Sequence, residues 1–318
     1  MSVTGSGTQA NPYIVSTIQD IDMAFTMCRG KDSAGTYYVR LAGNINGNWQ
    51  EWPLDLDFHS SSDRMIDFDL NGHEICNFTC GGGWSRLGCM AGDTFRNGSI
   101  YNIFRETGLT YLLSSIKFVD MSVSAYIKEA KSEIFSECEY IRTALWLKVV
   151  DYNAQSGYTH HPLIRFHGYS YSDTDGPYQL EESDMMIIID NVNTAKCVIF
   201  EANSPSSPII GEDSRIQGGI TNITPDTITE YPAIMSSSVA TENSVINFEM
   251  PDYSATVSSG QPTTIVGTGT TGVINSDLIH ESTYASYTMV DLRAETDAKM
   301  HSAAELTEDG FPVYVVRR

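Results

Sequence analysis

Residues 113–149, LSSIKFVDMSVSAYIKEAKSEIFSECEYIRTALWLKV, contain one pattern written twice. The first copy is Leu113, Ile116, Phe118, Val119, Met121, Val123, Ala125 and Ile127. Adding 22 to each number gives Phe135, Cys138, Tyr140, Ile141, Thr143, Leu145, Leu147 and Val149. Seven of those eight partners are apolar or aromatic, and Thr143 is β-branched. Within each copy the apolar positions fall mainly two apart, which is the alternation of a strand and not the 3.6-residue period of a helix. A strand pattern returning every ~20–25 residues marks a unit that cannot bury its own apolar face and must stack on its neighbours. Turns of a parallel β-solenoid share one interior in this way. The expected core stack pairs Leu113 with Phe135, Ile116 with Cys138, and Phe118 with Tyr140.

The repeat extends upstream. Asn97–Phe104 resembles Asn71–Phe78, with the two Asn-Gly pairs 26 residues apart, and this adds Ile75 and Ile100 to the stack. Ile100 precedes Phe118 by 18, and Phe95 precedes Leu113 by 18. Unequal intervals predict loops of differing length leaving each coil, which chain entropy tolerates because a longer loop costs little more to close.

Composition narrows the function. Apolar and aromatic residues make up 41% of the 318, enough for a substantial core. Nineteen Lys plus Arg against 40 Asp plus Glu leave a net charge of −21. Such a surface repels nucleic acid and anionic lipid, so neither is an expected partner. No run of ~18 apolar residues is present, and Met1–Gly7 lacks a basic-then-apolar signal. The expectation is synthesis in a cytosol without an export address. Six cysteines are scattered; Cys76, Cys80 and Cys89 suggest a zinc site on paper, but no second paired cluster follows. Cys76 and Cys138 fall in the apolar register, so buried free thiols are the expected state.

At the N-terminus, Thr17 with Asp20 three residues on reads as a helix start. Ile18, Ile21, Phe25 and Cys28 follow at near-helical spacing, and Gly30 stops the run. A short helix there would cover the solenoid's first strand edges. The strand Tyr37–Leu41 leads into Gly43-Asn44-Ile45-Asn46-Gly47. Further coils are read at Ile66–Leu70, Ile164–Phe166, Met186–Ile189 and Val198–Phe200. The run Ser204-Pro205-Ser206-Ser207-Pro208 is the preferred boundary, dividing the chain into a cap (1–47), coils (48–203) and a Ser/Thr/Gly-rich β region (204–318). Within that last region Val245–Phe248 and Thr263–Val266 are credible strands. Whether 209–290 makes further coils or a separate module stays open.

The order Gly5-Ser6-Gly7-Thr8, Asn11-Pro12-Tyr13-Ile14, a short helix, then Arg40-Leu41-Ala42-Gly43-Asn44-Ile45-Asn46 resembles the N-terminal cap of right-handed parallel β-helix proteins of bacterial surfaces and bacteriophage virions. Thr296–Leu306 followed by Gly310-Phe311-Pro312 resembles the ending of phage β-helix proteins. The resemblance implies a mainly β, right-handed solenoid with a short capping helix at the start and a short helix near the end.

Candidate chemistry is sparse. Asp67 and Asp69, on one face of one strand, would stand ~6.6 Å apart, a spacing compatible with a glycosidase carboxylate pair. Acids alternating outside an apolar row are more often a solvated face. His160 and His161, with Asp173 and Asp175 nearby, are candidate metal ligands, and His167 lies between them. An exposed loop explains the same letters. Trp49, Trp52 and Trp84 are candidates for a sugar-stacking platform or for packing. No nucleophile elbow, phosphate loop, dinucleotide fingerprint or zinc-protease motif is present, and no cofactor is expected. The expectation is a non-catalytic virion protein, a capsid decoration or head-fibre subunit. Its partners would be the major capsid protein and further copies of itself, a trimer by fold analogy. The rival readings are a tailspike-like protein that binds or depolymerises a host-surface glycan, and a bacterial adhesin.

Overall fold

A computed structural model describes residues 3–51, 64–80, 87–108, 112–131, 133–153, 163–166, 180–193, 198–202, 214–223, 233–235, 244–249, 272–277, 300–306 and 312–316. Its elements begin with β1 (Tyr13–Val15), α1 (Ile18–Arg29), β2 (Gly35–Leu41), β3 (Ile45–Asn46) and β4 (Arg64–Asp69). Next come β5 (Glu74–Cys80), β6 (Leu87–Gly108), β7 (Leu113–Ala130), β8 (Phe135–Ile141), β9 (Ala144–Tyr152) and β10 (Ile164–Phe166). They continue with β11 (Leu180–Glu181), β12 (Asp184–Val192), β13 (Val198–Ala202), β14 (Arg215–Ile223) and β15 (Ala233–Met235). The last are β16 (Ser244–Glu249), β17 (Gly272–Asp277), β18 (Met300–Leu306) and β19 (Pro312–Val316).

Strands β1 to β17 belong to one sheet, and neighbouring coils pair in parallel, so the chain winds as a β-solenoid. Side chains at equivalent positions therefore stack in columns along the interior. One column runs Val39, Phe68, Phe95, Phe118, Tyr140, Leu180, all buried. Its rings touch in succession, with centroids 5.3 Å apart for Phe68–Phe95, 6.2 Å for Phe95–Phe118 and 5.6 Å for Phe118–Tyr140. A second column runs Ile45, Ile75, Ile100, Val123, Leu145, Met185, Ile216. A third runs Phe78, Ile103, Ala125, Leu147, Ile187. Burying one such large side chain stabilises by about 1.5–3 kcal/mol, and each column repeats that gain coil after coil.

The 22-residue step appears as Leu113 opposite Phe135, Phe118 opposite Tyr140, and Val123, Ala125 and Ile127 opposite Leu145, Leu147 and Val149. Ile116 and Cys138 are both fully buried. The 18-residue step upstream is corrected. Phe95 faces Phe118 and Ile100 faces Val123, each 23 residues on, while Leu113 faces Leu87. Ile100 and Phe118 thus stand in different columns, on either side of a corner. Counting apolar letters across the corner skipped the residues that make the turn.

Those corners explain most of the unusual backbone. Asn71, Asn97, Asp120, Arg142 and Glu182 all have positive φ, from 46 to 60°, and succeed one another at one corner. Asn48, Asn77 and Asn102 do the same at a second, with φ from 47 to 56°. Asn and Asp tolerate this left-handed conformation better than most residues. At the second corner Tyr101 and Asn102 lie between Ile100 and Ile103, where the next coil has only Ser124 between Val123 and Ala125. The loss of that one residue shortens the step from 23 to 22.

The N-terminus closes the open edge. Ile14 donates its N–H to the Thr4 carbonyl at 2.9 Å, so a short antiparallel contact covers β1. Gly5 and Gly7 have φ of 103 and 76°, and a side chain at Gly7 would run into the Tyr13 ring. Thr17 caps α1 by accepting the Asp20 N–H at 3.1 Å, and the Asp20 carboxylate accepts the Ser16 N–H at 3.2 Å. Phe25 drops from α1 onto Phe68 and Phe95, with centroids 5.5 and 6.2 Å away, filling the lumen beside the small Val39. At the end of α1, buried Arg29 pairs with fully buried Asp93 of β6 and donates to the Arg64 carbonyl. Asp93 also accepts the Ile66 N–H at 2.7 Å, so one carboxylate ties the helix to two coils.

Downstream, β14, β16 and β17 pair in parallel onto β12, so the described strands between 209 and 290 continue the ladder. The expected C-terminal helix is corrected where it is described. Met300–Leu306 is the strand β18, antiparallel to β19. The β-branched run of Val313, Val315 and Val316 supplies a strand partner, and that pairing overrides the helix propensity of Ala303, Ala304, Glu305 and Leu306. Thr263–Val266 lies outside the described residues.

Candidate functional site

Asp67 and Asp69 project from β4 on the side away from buried Ile66, Phe68 and Leu70. Register places Arg40 of β2 and Arg96 of β6 on either side of Asp69. Arg96 Nε lies 2.6 Å from Asp67 Oδ1, and its Nη1 lies 3.3 Å from Asp69 Oδ2. Arg40 Nε is 3.4 Å from the same Asp69 oxygen. The other Asp69 oxygen accepts the Asn71 N–H at 2.8 Å and the Asn97 amide at 3.1 Å. Asp69 is only 6% exposed. Both carboxylates pair with Arg96, and Asp69 also pairs with Arg40 and holds the corner residues. A glycosidase acid sits instead in apolar surroundings. The arrangement joins coils.

Other polar side chains of the described coils also form ladders. Asn102 donates to Asn77 Oδ1 at 2.7 Å, and Asn77 donates to Asn46 Oδ1 at 3.2 Å. Asn222 donates to Asn191 at 2.8 Å, and Asn191 donates to Asp151 at 3.0 Å. Thr143 N–H donates to Ser183 Oγ at 2.9 Å, and Ser183 N–H donates to Ser214 Oγ at 3.4 Å. Arg142 donates to both carboxylate oxygens of Asp120, at 2.7 and 3.0 Å. Sequence reading missed these ladders. Their signal is an Asn, Asp or Ser returning at the coil interval, visible only once the register of each coil is known.

Phe104 and Tyr126 stack on the outer side at 5.7 Å and 22°. They lie between the inward pairs Ile103–Ala125 and Arg105–Ile127. Because each ring faces its neighbour along the solenoid axis, the pair turns ring edges outward. A sugar stacks on ring faces. Lys128 pairs with Glu106, and Lys148 with Asp190, beside it.

Cys28, Cys76, Cys80 and Cys138 are free and buried. Burial pushes the Cys28 and Cys80 thiols up to about 12, despite the nearby Arg29 and Arg105. Cys76 stands in the column of Asn46 and Tyr101, not in the apolar one expected for it; the inward neighbour is Ile75. Burial raises its thiol too, and raises the Tyr101 phenol, which hydrogen-bonds Cys76 and Glu74. Fully buried Arg105 has its ionisation pushed down by desolvation.

His160, His161, His167, Asp173, Asp175, Trp52 and Trp84 lie outside the described residues. Trp49 is half-buried at the second corner, its N–H donating to the Asn77 carbonyl at 2.7 Å. Among the described residues, no group of three or more His, Cys, Asp or Glu is placed to hold a metal, and no helix is long and apolar enough to cross a membrane.

No family model matches the sequence, and no curated protein matches it. Among solved structures, one similar chain is described as "a putative immunoglobulin A1 protease from Bacteroides ovatus". It is 14% identical, with a TM-score of 0.49 over 98% of this chain and 94% of that one.

Proposed function

From a solenoid whose outward polar side chains bind coil to coil, we propose that this chain is a non-catalytic structural protein of a bacteriophage virion. It acts as a capsid decoration or head-fibre subunit that binds the major capsid protein. The observation carrying the non-catalytic part is the commitment of Asp67 and Asp69 to Arg96 and Arg40. The virion setting is supported by the resemblance of the cap segment Gly5–Asn46, and the −21 charge suits a protein that stays soluble on a crowded particle.

The test is to image particles made with and without this chain and to identify particle proteins by mass spectrometry. The expected result is a surface feature that vanishes with the chain while heads still form. Release of reducing ends from host polysaccharide by the purified protein, lost in Asp67→Asn or Asp69→Asn, would overturn the proposal in favour of a depolymerase.

A further inference from the structure

Met27 and Cys28 are neighbours in sequence, and each carries an oxidisable sulfur, yet α1 turns them to opposite sides. Consecutive helical residues stand ~100° apart around the axis. Met27 therefore faces solvent, 39% exposed, while Cys28 is fully buried in the core cluster with Phe25. Met23, one turn earlier on the outward side, is 47% exposed. These two are the exposed large apolar side chains among the described residues. Met65 is half-buried, and Met121, Met185 and Met186 are buried.

Whether a sulfur is oxidised depends on access and, for cysteine, on the fraction present as thiolate. Cys28, Cys76, Cys80 and Cys138 are buried, so an oxidant meets none of them at the surface. Burial also holds the Cys28 and Cys80 protons up to about 12, which leaves almost no thiolate at neutral pH. A thioether has no proton to lose, so access alone decides its fate. The usual order, thiols before thioethers, is thereby inverted in the folded chain.

We propose that Met23 and Met27 form a methionine-oxidation site for hydroperoxides, one that reacts ahead of the described thiols. A lone pair on sulfur takes one peroxide oxygen as the O–O bond breaks. The proton of that oxygen passes to the departing hydroxide, so the thioether is oxidised by two electrons to the sulfoxide and the peroxide leaves as water. The product makes an apolar outward stripe polar. It leaves the cap seated, because α1 holds the solenoid through Ile18, Ile21, Ala24, Phe25 and Cys28 on its buried side.

The test treats the native full-length protein at pH 7 with rising hydrogen peroxide, then quenches and digests it with trypsin. The peptide ending at Arg29 contains Met23, Met27 and Cys28, so fragmenting it ranks the three sulfurs against one another. The expected result is a gain of about 16 Da at Met23 and Met27 at roughly tenfold lower peroxide than any change at the four thiols or at Met121, Met185 and Met186. The circular dichroism spectrum should not change. In urea the thiols should react first, since an unfolded thiol ionises near 8.5. Oxidation of Cys28 keeping pace with Met27 in the native protein, or of Met121 with Met23, would overturn the proposal. The double variant Met23→Leu, Met27→Leu should lose the early gain between residues 18 and 29, and its persistence there would overturn the assignment.

Discussion

Phe118 and Tyr140 lie directly over one another in successive coils, with ring centroids 5.6 Å apart and planes 20° from parallel. Both are fully buried, and they are 22 residues apart in the chain. That single contact joins the two copies from which the repeat is read. Removing Phe118 takes away the ring stacked on Tyr140 and the edge contact from Phe95. Phe118→Ala is expected to destabilise by about 3–5 kcal/mol, measured by urea unfolding followed by circular dichroism. A loss below ~1 kcal/mol would show that the column is not a continuous core.

The cap helix depends on Arg29 and Asp93. Breaking a buried ion pair leaves one charge uncompensated, so Arg29→Leu alone should cost about 3–5 kcal/mol. The double variant Arg29→Leu, Asp93→Leu should recover part of that loss, because neither charge is then stranded. Hydrogen exchange in 18–29 reads whether the helix detaches before the coils unfold.

Glu182 has φ of 46° at a corner where earlier coils place Asn71 and Asn97. Its side chain is exposed. Glu182→Asn is expected to stabilise by a few tenths to about 1 kcal/mol, because Asn enters the left-handed region at lower cost. Gly7→Ala should act in the opposite direction, since φ is 76° and the Tyr13 ring occupies the space. Thermal unfolding of the two variants should shift in opposite senses.

Raised thiol values at Cys28 and Cys80 set an alkaline limit. The folded state holds these protons up to about 12, whereas an unfolded thiol releases its proton near 8.5. Above that lower value the unfolded chain binds fewer protons than the folded one, so stability falls as pH rises from about 9 towards 12. Urea midpoints should be flat between pH 7 and 8 and should drop by pH 10–11. Cys80→Ala should flatten that decline, and native protein should not react with a thiol reagent at pH 8.

Because Phe118 and Tyr140 occupy equivalent positions, deleting residues 119–140 removes one whole coil. Phe118 then stands over Leu180, and Ile100 meets Leu145. The shortened chain should keep its β spectrum and unfold cooperatively, as expected where repeats contact only their neighbours. A control deletion of 119–138 shifts every downstream side chain by two positions along the coil and should lose cooperative unfolding.

The period-2 rows of 113–149 and their return after 22 residues were enough to establish strands, stacking and the identity of core partners such as Leu113 and Phe135. They sufficed because apolar burial is a one-dimensional signal, carried by each side chain whatever its neighbours do. The helix start at Thr17 was legible for a similar reason, since its cap bonds lie within four residues. Other features depended on which coil lies above which. The 23-residue step from Phe95 to Phe118, the clasp of Asp69 by Arg40 and Arg96, the asparagine ladders and the strand at Met300–Leu306 are contacts between residues distant in sequence. Corner residues alter the count without altering the apolar pattern, and a polar letter reads alike whether it meets solvent or a partner one coil away. Only the stacked coils decide that, because each outward group sits one coil, or ~4.8 Å, from its neighbours in the same column.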